Sequence, residues 1–193
     1  MGMLHHSEGK AWDIYRNGDD NMLGAIFSAY APVLYKYGLK FTRNSSLIED
    51  AIQDIFLELF RNRKTIGQTD NILKYLCKSF RRKLIRLINR EKRYDLRNEV
   101  DEYSFELRYS IEHEMILDEN AELRMASYRK ALQELSSRQK EIIYLKFTGG
   151  LDYEEVSEIM GMSIESCRNL LYRAIKALKT VLQNNSSSRA NHI

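Results

Sequence analysis

The chain has 193 residues, 44% hydrophobic and 30% charged, with one proline, nine glycines and a net charge of +3. That balance suits one large or two small domains, and the scarcity of strand and turn signals together with abundant Leu, Ile, Lys, Arg and Glu predicts an all-α fold. No apolar run approaches the ~20 residues of a membrane span, and the opening MGMLHHSEGK lacks the apolar core of a signal peptide, so a cytoplasmic location is expected. Cys77 and Cys167 fall in helical patterns and read as buried free thiols, and no metal or cofactor site is expected.

In chain order, a short helix runs from Lys10 to Asn17 and ends at Gly18. Asp19 or Asp20 caps a long second helix that contains Pro32. Ser46 with Glu49 spells a capping box for a third, SLIEDAIQDIFLELF, whose apolar residues from Leu47 to Phe60 form a wide face. Glu49, Asp50, Gln53 and Asp54 stay polar. No His, Cys or further carboxylate completes a ligand set for a metal or a Mg²⁺ enzyme, so a solvated face is the usual reading and a docking face for another protein the sharper one. The loop RNRKTIGQTD then leads into a basic helix from Asn71 to about Arg93.

Charge is distributed unevenly. Arg61 to Arg97 carries thirteen basic against three acidic residues, a net of +10, whereas Asn98 to Leu123 carries nine acids against one arginine. The basic block is a candidate phosphate footprint and the acidic stretch a linker. The expected division is an N-terminal helical bundle over 8–97, the acidic linker 98–123, a C-terminal helix-turn-helix domain over 124–183 and a disordered tail 184–193.

The C-terminal third is the most specific part. Ser136 with Gln139 opens one helix, which stops at Gly149-Gly150. Asp152 with Glu155 opens a short second helix that Gly161 ends, and Ser163 caps a third. Two helices joined by Gly161-Met162-Ser163 have the spacing of a helix-turn-helix. The last helix puts Ile164, Cys167, Leu171, Ala174, Ile175 and Leu178 on one face. Glu165, Ser166, Arg168, Asn169, Tyr172, Arg173 and Lys176 lie on the other, with Arg, Asn and Ser able to read base edges.

Two segments resemble a known family. Ile48-Glu49-Asp50-Ala51-Ile52-Gln53-Asp54-Ile55-Phe56 is similar to the A-E-D-x-x-Q-E-x-F pattern in region 2 of bacterial sigma factors. LSSRQKEIIYLKFTGGLDYEEVSEIMGMSIESCRNLLYRA is similar to region 4, including its final Arg173-Ala174. Both occur in order across a short linker, which resembles the extracytoplasmic-function (ECF) group.

The resemblance implies a sigma factor that binds core RNA polymerase and promoter DNA, takes no small-molecule substrate and is held by an anti-sigma factor, often membrane-bound. It places polymerase docking at Glu49, Asp50, Gln53 and Asp54. Minus-ten melting falls to the loop and basic helix, with Arg61, Asn62, Arg63, Lys64, Gln68, Arg81, Arg82 and Arg86 as contacts. Minus-thirty-five recognition falls to the polar face of the last helix. Tyr75 and Phe80 read as core, not as base-stacking surfaces. One departure stands out: the family's W-L-x-x-I-A-x-N reads Tyr75-Leu76-Cys77-Lys78-Ser79-Phe80-Arg81-Arg82 here, with Arg82 in place of Asn. The alternative is a helix-turn-helix activator that binds duplex DNA without polymerase, which leaves the region 2 pattern and the basic block without a role.

Overall fold

The computed structural model describes residues 5–94, 103–107 and 119–190, and among them all regular structure is helical. The chain forms two compact units, divided between Ser104 and Phe105.

The N-terminal unit contains α1 (His5–Arg16), α2 (Asp20–Gly38), α3 (Ser45–Asn62) and α4 (Ile72–Tyr94). Asp19 caps α2, its carboxylate accepting from Asn21 N at 2.8 Å and Met22 N at 3.1 Å. The third helix departs from expectation. It starts at Ser45 with Asn44 as its cap, not Ser46 in a box with Glu49. Asn44 wins because its side-chain amide also donates to Glu91 Oε1 on α4 at 3.1 Å, a tertiary bond that no local pattern reveals.

Helix α3 packs on both α2 and α4, and α1 lies against α2. Ile48, Ala51, Ile55, Leu59, Leu76, Phe80 and Leu84 make the core between them, each buried. Gly38 ends α2 where these helices meet. A Cβ there would fall 2.7 Å from Ile48 Cγ2 and 2.9 Å from Phe80, so only glycine permits the approach. Phe80 is fully buried as expected, whereas Tyr75 is half-buried and lies 4.9 Å from the Trp12 ring. Tyr103, from the segment expected to be linker, is buried 5.5 Å from the Phe41 ring.

The C-terminal unit contains α5 (Glu119–Gln133), α6 (Ser137–Ile143), α7 (Tyr153–Met160) and α8 (Ile164–Ala190), with a π-helical turn over Tyr144–Thr148 prolonging α6. Both expected capping boxes form: Ser136 with Gln139, and Asp152 with Glu155. Phe105 is buried against Tyr144, ring centres 5.8 Å apart. Helix α8 packs on α5 and α6 through Cys167, Leu170, Leu171 and Ala174. Two boundaries shift: α5 begins at Glu119, inside the expected linker, and α8 continues to Ala190, through most of the expected disordered tail. Neither stretch contains a Gly or Pro to stop a helix.

Gly161 joins α7 to α8 in the left-handed conformation (φ +64°), its N–H donating to Ser157 O. An L side chain there costs about 1–2 kcal/mol. Gly161→Ala is therefore expected to speed amide exchange in α7 by roughly five- to thirtyfold in the regime where exchange follows stability. Unchanged exchange would mean the turn relaxes without strain.

Candidate nucleic-acid and protein-docking surfaces

Three surfaces gather the candidate residues. The first is α8. Ser163 Oγ accepts from Ser166 N at 3.1 Å and fixes the start of the helix. Glu165, Ser166, Arg168, Asn169, Tyr172, Arg173 and Lys176 are all exposed on one side, opposite the buried stripe. Two of them are held in place: the Arg168 guanidinium lies 5.4 Å from the Tyr153 ring centre, and Arg173 Nε donates to Asn169 O at 3.4 Å. Lys146 Nζ lies 4.4 Å from the same Tyr153 ring and donates to Leu151 O at 2.6 Å. A short helix, a glycine turn and a second helix with an exposed polar face have the arrangement that enters a major groove.

The second surface is the loop 63–71 with α4. Arg61, Asn62, Lys64, Gln68, Arg82 and Arg86 are exposed. Arg63 and Arg81 differ. Arg63 pairs with Asp20 on α2, and Arg81 lies 4.9 Å from the ring centre of Tyr103. Sequence patterning could not separate these two from their neighbours, because the partners lie 43 and 22 positions away. Beneath the loop, Glu58, Asn62, Tyr75 and Ser79 help line a pocket of about 70 Å³, room for about two waters. Burial, with Glu58 beside it, raises the Tyr75 phenol above its usual range, so it stays a neutral hydrogen-bonding group.

The third surface runs along α2 and α3. Phe27, Leu57 and Phe60 are exposed by 42%, 48% and 51%. With Leu23, Gly24, Gln53 and Phe56 they line an open groove of about 560 Å³. A smaller groove beside it takes in Glu49 and again Gln53. Sequence reasoning named the polar rim and missed these apolar residues, although the unusually wide apolar face of α3 was the signal. One helix neighbour cannot cover so wide a face.

Asp50 is exposed, but Asp54 points the other way. Its carboxylate pairs with Lys83 Nζ on α4 at 2.7 Å, and Glu58 accepts from the same ammonium at 3.2 Å. The bond to Asp54 leads in raising the Lys83 pKa, against the effect of burial. Asp54 therefore sits on the α3–α4 side with its charge engaged.

Family models match stretches of both units. The model for sigma-70 region 2 matches residues 26–94, and that for sigma-70 region 4 matches residues 125–178. The chain is similar to the ECF RNA polymerase sigma factor SigL of Mycobacterium tuberculosis, with 24% identity over 162 residues covering 84% of this chain and 89% of the relative. It is also similar to the RNA polymerase sigma factor SigV of Bacillus subtilis, with 24% identity covering 77% and 83%. Two solved structures share the fold. One is the sigma factor RpoE bound to the anti-sigma factor NepR from Bartonella quintana (TM-score 0.58, 20% identity, covering 81% and 94%). The other is CnrH bound to the cytosolic domain of CnrY (TM-score 0.59, 16% identity, covering 92% and 97%).

With both regions present and in order, the chain belongs to the sigma-70 family, whose members are DNA-binding regulators of transcription. Within it the chain is an ECF sigma factor, which binds core RNA polymerase and directs promoter-specific initiation. No helix among the described residues is long and apolar enough to cross a membrane.

Proposed function

We propose a division of labour among the three surfaces, two on the N-terminal helical unit and one on the helix-turn-helix of the C-terminal unit. The α2–α3 groove docks core polymerase: Phe27, Leu57 and Phe60 supply buried area, with Glu49, Asp50 and Gln53 as its polar rim. The observation that carries this is three large apolar side chains left in water around Gln53, on the helix that resembles the docking region. Apolar patches rimmed by polar groups mark interaction sites. The exposed residues Arg61, Asn62, Lys64, Gln68, Arg82 and Arg86 meet the melted minus-ten strand, with Arg63 and Arg81 holding loop and helix in place. The polar face of α8 reads the minus-thirty-five element. The protein acts in the cytoplasm without enzymatic chemistry of its own. It is held inactive by an anti-sigma protein, the type of partner that RpoE has in its solved complex.

Base readout has a direct test. Glu165, Ser166, Arg168 and Asn169 occupy the first turns of α8, where a recognition helix presents side chains to base edges, and Tyr172, Arg173 and Lys176 follow where phosphates lie. Arg168→Ala or Asn169→Ala is expected to relax preference at one or two upstream base pairs by about 1–3 kcal/mol. Lys176→Ala should weaken binding alike on every sequence. A promoter-library assay in which neither Arg168→Ala nor Asn169→Ala shifts upstream preference would remove α8 from the reading role.

A further inference from the structure

The loop 63–71 carries no regular structure; local bonds hold its two ends, Thr69 Oγ1 accepting from Asn71 N and donating to Asn71 O, and α1 holds its middle. At its start, Thr65 N and Ile66 N donate to Asn62 O at 2.8 and 3.1 Å, and the Ile66 side chain is buried. At its midpoint, the indole Nε1 of Trp12 donates to Gly67 O at 2.9 Å. At its end, Glu8 Oε2 accepts from Ile72 N, the first helical amide of α4, at 2.9 Å. Gly9 lies against the backbone between them, since a Cβ on it would sit 3.7 Å from Asp70 Cα. Helix α1 is itself anchored: Trp12 and Tyr15 are fully buried, and Tyr15 OH donates to Leu59 O at 2.6 Å.

The Gly67 carbonyl belongs to the planar peptide unit that leads into Gln68, so pinning that oxygen fixes the direction in which Gln68 leaves the loop. Glycine at 67 would otherwise allow that unit to turn freely. We infer that Trp12 is a positioning residue for minus-ten recognition: its hydrogen bond to Gly67 aims the exposed Gln68 at the single strand, though Trp12 itself touches no DNA. The inference rests on the proposed role of this loop at the minus-ten element.

Trp12→Phe keeps an aromatic ring against Tyr15 and Tyr75 and deletes the donor together with part of the indole's volume, a packing loss that the Ile88→Val control accounts for. Holoenzyme assembled with core polymerase would be offered pairs of promoters differing at one minus-ten position, and the ratio of open complexes measured. That ratio does not depend on how much protein is folded. Trp12→Phe is expected to lower the discrimination at one position about fivefold, the worth of one neutral hydrogen bond, and to leave minus-thirty-five preference unchanged. Gln68→Ala should lower it at the same position, and the double variant should fall no further than Gln68→Ala alone.

If Gln68→Ala flattens the preference and Trp12→Phe does not, the positioning role is overturned and the loop's role survives. If neither flattens it, both are overturned. If the buried α4 change Ile88→Val flattens the ratio as much as Trp12→Phe, general loosening is the cause and the inference fails.

Discussion

Phe27→Asp combined with Phe60→Asp is expected to abolish stable binding to core RNA polymerase while leaving the helices folded. Both side chains are about half exposed in the groove, so the carboxylates would be solvated in the free protein and buried only in the complex. Aromatic residues at the centre of an interface commonly cost about 2 kcal/mol or more each when removed. Two of them correspond to about a thousandfold in affinity. Loss of the Phe27–Phe56 edge contact, ring centres 5.0 Å apart, takes about 1 kcal/mol from stability, which does not unfold a domain. Asp50→Arg makes the comparison, since a rim charge mainly changes the association rate. Asp54→Arg is a poorer probe, because it breaks the partly exposed pair with Lys83 that joins α3 to α4. Gel filtration with core polymerase reads the outcome, and co-elution of the double variant at wild-type affinity would put docking elsewhere.

The largest expected effect on folding is at Phe80. It is fully buried, its ring centre 6.1 Å from that of Tyr37, and it closes the space that Gly38 leaves open. Phe80→Ala removes the aromatic body from a site where α2, α3 and α4 all converge and none can move in without disturbing the other two. The expected cost is about 3–5 kcal/mol. Amide exchange in α2, α3 and α4 of the full chain should accelerate by at least a hundredfold where it follows stability. A loss below about 1 kcal/mol would mean the junction collapses around the gap and that Gly38 is not there for Phe80.

Features set by neighbours in sequence were legible before any coordinates. The capping boxes at Ser136 and Asp152, the cap at Ser163 and the left-handed Gly161 all depend on bonds spanning a few residues, and each forms. So were the two faces of α8, because one period separates Cys167, Leu171 and Ala174 from Arg168, Asn169 and Tyr172. What was not legible depended on distant partners. Asn44 displaces Ser46 as a cap through Glu91, Arg63 is drawn to Asp20, and Asp54 turns to Lys83. Trp12 and Glu8, which brace a loop more than fifty positions away, had no local signal at all. The wide face of α3 did carry a signal for Phe60 and Leu57, one that only burial converts into a groove.

Start-site mapping on a library of random promoter sequences, transcribed by core polymerase with this chain as its only sigma factor, tests the central claim most directly. Transcripts should arise from templates sharing two short sequence blocks at fixed spacing. Arg168→Ala should relax only the upstream block, and Phe27→Asp with Phe60→Asp should remove the transcripts altogether. Transcription no different from core polymerase alone, or enriched templates with no second block near the start, would contradict the account.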